Sequence, residues 1–254
     1  KGSVQLVFPA VTKDKAALKL TIAQYLTPGD VSIQGVGVTP HIELDPMTVD
    51  PLEMDLTVQH DGVRERDLSQ HLSSDQATKP TKPAQVVRYY LSQEERDELR
   101  ERGGELEDEY QEDFPIAFAR ELVRRLPASK PLTEQLAAAT AYIEDSRNAE
   151  LTKVSDQLGK LGVDWSLPKA SPIPGPNKDD FEVAVETDRL GNVVDAGGHL
   201  NLTVKVKNGG TEPVFRLRAT TESDNPYYDE KELVFGKIGP GEEKNVSTPL
   251  SWCE

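Results

Sequence analysis

Cysteine is all but missing from this 254-residue chain. Cys253 stands alone, so no internal disulfide can staple the fold, and the redox compartment stays open. Long apolar runs are missing as well. No stretch approaches the ~20 residues of a membrane span, and the first residues lack the charged-then-apolar pattern of a signal peptide. Basic clusters with interleaved aromatics do not occur. With 29 basic against 44 acidic residues, the net charge of -15 repels a phosphate backbone, which excludes nucleic acid as an expected partner. The histidines His41, His60, His71 and His199 are scattered without the paired spacing of a metal site. No metal and no cofactor is expected.

What is present leans polar. Hydrophobic residues make up 36% and charged residues 29%, a balance suited to folded modules joined by solvated connectors, and the length suits two or more domains. Residues 4–8, Gln5 apart, are apolar and β-prone. After the polar "TKDK", Leu18, Leu20 and Ile22 alternate with Lys19, Thr21 and Ala23, which predicts two neighbouring strands. "TPGD" supplies turn chemistry, and "VSIQGVGVTPHIELD" continues as a short strand, so a β-rich region covers about 3–45. Apolar residues then thin out, and "SSDQATKPTKPAQ" predicts a surface linker.

Residues 93–113 hold eleven acids against three arginines, the pattern of a solvated helix broken at Gly103 and Gly104. Asp113 is positioned as an N-cap with Pro115 in the first turn, Phe118, Leu122, Val123 and Leu126 on one face, and Pro127 as the stop. Ser129 is a second candidate cap, before Leu132, Leu136, Ala139 and Ile143. Leu151, Val154, Leu158 and Leu161 repeat that spacing further on. A helical hairpin or small bundle over about 85–166 follows. "LPKASPIPGPNK", with four prolines, reads as a connector over 168–178. Beyond it the period is two: Phe181, Val183 and Val185, then Leu200, Leu202, Val204 and Val206, then Phe215, Leu217 and Ala219, with "NGG" and "GPGEE" as turns. An immunoglobulin-like β-sandwich is expected over 179–254, with "STPLSWCE" leading into further strands.

The chain starts in mid-pattern, without a Met, at "KGSVQ". Lys1 and Gln5 are four residues apart, so on a strand both side chains leave the same face, their roots ~13 Å apart when fully extended. A lysine acts as a general base only as the neutral amine, which requires burial or positive neighbours. A neighbouring amide can hold such an amine without protonating it.

"KGSVQ" followed by "ALKLTIAQYLTPGDVSIQGVGVTPHIELD" resembles the end of the protease domain in the C-terminal processing peptidases, the tail-specific serine proteases. The resemblance covers about 1–45. It implies that Lys1 is the general base of a Ser-Lys dyad and that Gln5 orients it. Asp30 and Val31 depart from the family's usual glycine and arginine, and His41 from its usual aspartate; none belongs to the dyad. The family's nucleophilic serine, oxyanion hole and PDZ domain have no counterpart in this sequence, and Ser3 does not stand in the nucleophile's context.

The overall expectation is a multidomain α+β protein. Residues 1–72 are the β-rich C-terminal part of a peptidase domain, 85–166 the helical region, and 179–254 the sandwich. The implied substrate is a protein or peptide, the implied compartment the bacterial periplasm or cell envelope, and the chain alone is expected to be an inactive piece of a larger protease. The competing expectation is a non-catalytic module whose acidic helices and sandwich bind a partner protein.

Overall fold

The structure, a computed structural model, describes residues 3–9, 17–27, 31–33, 37–52, 54–56, 82–101, 112–168, 177–189, 198–224 and 228–251. Residues 73–81 of the linker "SSDQATKPTKPAQ" lie outside them, as do Gly103, Gly104 and the middle of the proline-rich connector. In chain order the elements are β1 (Ser3–Pro9), β2 (Ala17–Gln24), β3 (Leu26–Thr27), β4 (Val31–Ser32), β5 (Ile42–Met47), β6 (Gln85–Tyr90), α1 (Gln93–Glu101), α2 (Phe114–Arg125) and α3 (Leu132–Lys160). Then come β7 (Phe181–Thr187), β8 (His199–Asn208), β9 (Val214–Thr220), β10 (Glu232–Ile238) and β11 (Glu243–Ser251). Helices and several small sheets thus coexist in a mixed, α+β arrangement. Contacts divide the chain into two units, residues 1–43 with 59–86, and residues 44–58 with 87–254.

In the first unit β1 pairs with β2 and β3 with β4, both antiparallel. Ile33 O accepts from the N–H of Gly37 at 2.9 Å, and Gly37 has φ +75°, a conformation glycine adopts without steric cost.

The second unit is built around α3. Its buried residues Ala139, Ile143, Val154 and Leu158 recur on one stripe, and the two apolar series predicted from the sequence lie on a single 29-residue helix. Leu158 and Val154 pack with Met47, Leu56, Trp165 and Val234 in one core cluster, so the helix and strand β10 share a core. Glu150, also buried on α3, accepts the Tyr90 N–H at 2.9 Å and the Lys153 ammonium at 2.7 Å. Helix α2 starts as expected. The Asp113 carboxylate accepts the Ile116 N–H at 2.9 Å, Pro115 occupies the first turn, and the helix closes at Leu126, before Pro127. Phe118 is buried, stacked between Phe114 (5.8 Å) and Tyr142 of α3 (5.2 Å), while Val123 turns to solvent.

Two expectations are corrected. Pro131, not Ser129, precedes α3: it makes no side-chain cap, but its carbonyl accepts from Glu134 and Gln135, and a proline has no N–H of its own to satisfy at a helix start. Residues 85–90, assigned from the sequence to the helical region, form β6 instead. "QVVRYY" is β-branched and aromatic, and β5 offers it an edge: Gln85 N–H reaches His41 O at 3.1 Å, and Leu91 N–H reaches Met47 O at 2.8 Å.

The C-terminal strands form two sheets, β11-β8-β7 and β10-β9. Val204, Val206, Leu233, Phe235 and Ile238 are buried between them. Segment 163–165 meets β10 at Gly236, where φ is +73° and an added Cβ would lie 2.5 Å from Asp164 O. The Lys237 N–H donates to that oxygen at 2.8 Å, and Arg216 Nε donates to Trp165 O at 2.9 Å. Residues 247–251, predicted to lead into further strands, already lie in β11, with Leu250 opposite Leu200.

Candidate functional site at the N-terminal hairpin

The predicted site residues fall on or beside strand β1. Lys1 lies outside the described residues. Gln5 is exposed on β1 and faces Thr21 of β2. The register explains its setting: Val4 pairs with Ala23 but Gln5 with Thr21, so Ile22 is the extra residue of a β-bulge in β2 directly beside Gln5. Such bulges bend a strand and re-aim the side chains next to them. The Gln5 amide offers donors and an acceptor to a neighbouring polar group, which suits an orienting role and is inert as a base. By period-two alternation Gln5 and Val7 share one face of β1, with Thr21 and Lys19 opposite on β2.

The other face is apolar. Leu6 opposes Leu20 and Phe8 opposes Leu18, which are cross-strand pairs of the kind that stabilise a sheet buried on that side. They are not buried within the first unit. Leu6 is 45% exposed, Phe8 47%, Leu18 56% and Ile22 53%. Val7, on Gln5's own face, is 57% exposed. A two-stranded hairpin with apolar side chains on both faces needs further polypeptide for independent stability. Beyond the hairpin, Ser32 is buried and its hydroxyl donates to Gln24 Oε1 at 3.4 Å.

Comparison with known proteins assigns a class to this segment. The sequence profile described as "Peptidase family S41" matches residues 1–44. A 45-residue stretch, 18% of the chain, is 49% identical to the carboxy-terminal-processing protease of Bartonella bacilliformis. No solved structure matches. The N-terminal segment is therefore similar to peptidase family S41 and to a carboxy-terminal-processing protease. The chain spans about a tenth of the length of this curated relative, since the match covers 10% of it. The resemblance read from "KGSVQ" and "LKLTIAQYLTPGDVSIQGVGV" is borne out over that stretch.

Proposed function

We propose that residues 1–44 are the closing strands of an S41 serine-peptidase domain, in which Lys1 is the general base of a Ser-Lys dyad and Gln5 orients its amine. The observation that carries this reading is the 49% identity over 45 residues to a carboxy-terminal-processing protease. The apolar hairpin supports it, because Leu6, Phe8, Leu18 and Leu20 call for a cover that a catalytic domain supplies. The nucleophilic serine, and a peptide-binding PDZ domain, come from polypeptide outside these 254 residues, and the chain alone is inactive. The reaction is hydrolysis of a peptide bond near a protein's C-terminus. The Lys1 amine takes the serine proton as the hydroxyl attacks the carbonyl carbon, then delivers it to the departing amine. Such a base must be shielded from water for its pKa to fall, so the rate drops as the pH falls and the amine charges. The helices and the immunoglobulin-like β-module serve as accessory modules for docking, and the compartment is the periplasm or cell envelope.

A chimera tests this reading. The 45 matched residues of the Bartonella bacilliformis protease are replaced by residues 1–45 of this chain, and cleavage of a peptide with a free C-terminus is followed. The chimera is expected to be active. Lys1→Ala is expected to cut kcat by about a thousandfold or more, and Gln5→Ala by less. An active Lys1→Ala chimera overturns the dyad.

A further inference from the structure

Among the described residues, strand β11 pairs along one edge only. The Asn208 N–H donates to Glu242 O at 3.0 Å, one step beyond the ladder in which Lys207 pairs with Glu243. Hydrogen-bonded pairs alternate along an antiparallel ladder, so Lys244, Val246, Thr248 and Leu250 direct their backbone N–H and C=O groups at β8. Glu243, Asn245 and Ser247 direct theirs away. The second ladder of β8 has the matching phase: Gly209 N–H reaches Asp180 O at 2.7 Å, and Asp188 N–H reaches Asn201 O at 3.2 Å, so the alternate β8 residues turn to β7. Pro249 falls in the outward set, the position where a missing N–H costs no ladder bond. Among the described residues no strand pairs with this outer edge.

The free edge opens on a cleft of about 510 Å³, lined by Met54, Val163, Val234, Phe235 and the whole run 243–248. A pocket over one face of a strand is lined by alternate residues. Lining by six consecutive ones sets the cleft against the edge, over ~20 Å of strand. It stops one residue short of Pro249, where outward N–H groups give out. The facing wall already holds added backbone, since segment 163–165 lies along β10 with its Asp164 carbonyl taking the Lys237 N–H.

We propose that the free edge of β11 binds an extended polypeptide segment by strand addition, with alternate apolar side chains turned toward Val234 and Phe235. Charge restricts the class further. The Lys244 ammonium is engaged by Phe235 O at 3.3 Å and Lys237 O at 2.5 Å, and Arg218 by Glu232 at 2.7 Å, so the cations of the cleft and of its buried carboxylate are already committed. Glu243 on the rim is exposed. The segment is therefore neutral or basic beside Glu243, not an acidic tail. This inference stands apart from the peptidase reading, because every residue in it belongs to the second unit.

The test uses the full 254-residue chain and, as probe, a capped fluorescent peptide of the sequence HLNLTVKVKN, the chain's own antiparallel complement to β11. Saturating peptide is expected to slow amide exchange at Asn245 and Ser247 by about tenfold or more, leaving Val246 unchanged because β8 already protects it. Asn245→Pro removes one outward N–H, as Pro249 does natively, and is expected to weaken the anisotropy-measured affinity by about tenfold, while Asn245→Ala binds as before. Glu243→Lys, which leaves the ladder intact, weakens it as well. Binding without protection of Asn245 and Ser247, or binding unaffected by both Asn245→Pro and Glu243→Lys, overturns the proposal. So does concentration-dependent dimerisation that protects those amides without peptide, which gives the edge to a second copy of the chain.

Discussion

The β1-β2 hairpin and strand β8 of the C-terminal module are written in the same alternating code and end differently. Leu6, Phe8, Leu18 and Leu20 form cross-strand pairs and remain about half exposed, whereas Val204, Val206, Leu233 and Phe235 are buried. The difference lies not in the strands but in what stands over them. A second sheet covers β8, and no described residue of the first unit covers the hairpin. Even inside the C-terminal module the same contrast recurs. Val183 and Val185 of β7 pair with Val206 and Val204, yet they are 60% and 62% exposed because β7 lies at the edge of its sheet. A period of two therefore marks a face ready for burial, and burial itself needs a partner from elsewhere in the chain.

Truncating one aromatic in each region turns this comparison into a measurement. Phe235→Ala removes a fully buried ring and is expected to cost about 3–5 kcal/mol in denaturant unfolding. Phe8→Ala, on the exposed hairpin, is expected to change stability by less than about 0.5 kcal/mol. Equal losses at the two sites would mean the hairpin is covered after all. Gly236→Ala comes next, at about 2–3 kcal/mol: the new methyl has no room beside Asp164 O, and φ +73° is strained for any residue with a Cβ. Thermal unfolding should show the loss, and a silent Gly236→Ala would deny the close approach of 163–165 to β10.

The smallest effect is electrostatic. Hydrogen bonds from Ser166 hold the exposed Asp164 carboxyl below its ordinary value of 3.8, with help from Lys237 and Lys244. A depressed folded pKa contributes stability that is complete above about pH 3.8 and is lost as the pH falls through the folded value. Asp164→Asn should therefore cost a small amount of stability at neutral pH, a loss that fades as the pH falls below the folded value, so the acid limb of a stability-pH profile flattens slightly. A loss at pH 3 equal to or larger than that at pH 7 would reject the assignment.

The two ends of helix α2 were legible because their signals are local: Asp113 caps it, Pro115 suits its first turn, and Pro127 follows its end, whereas Val123, expected on the apolar face, turns to solvent. Strand β6 was not, since Val86, Val87, Tyr89 and Tyr90 carry strand propensity but sit against a helical stretch, and only the edge of β5 decides between the two. The start of α3 was misread at Ser129, because a good capping residue competes with a proline that needs no cap. At the candidate site, the resemblance singled out Gln5, while the bulge at Ile22 that sits beside it depends on a register no single strand specifies.

The sequence by itself determined the strands' periodicity, the helix cap at Asp113, and the similarity of residues 1–44 to peptidase family S41, because each is written in neighbouring residues or in a stretch of matching text. Tertiary structure alone decided which alternating faces close into a core, that Leu158 and Val234 share one, and that among the described residues β11 pairs along a single edge. Those outcomes rest on contacts between residues far apart in the chain, and local chemistry can prepare such contacts without choosing among them.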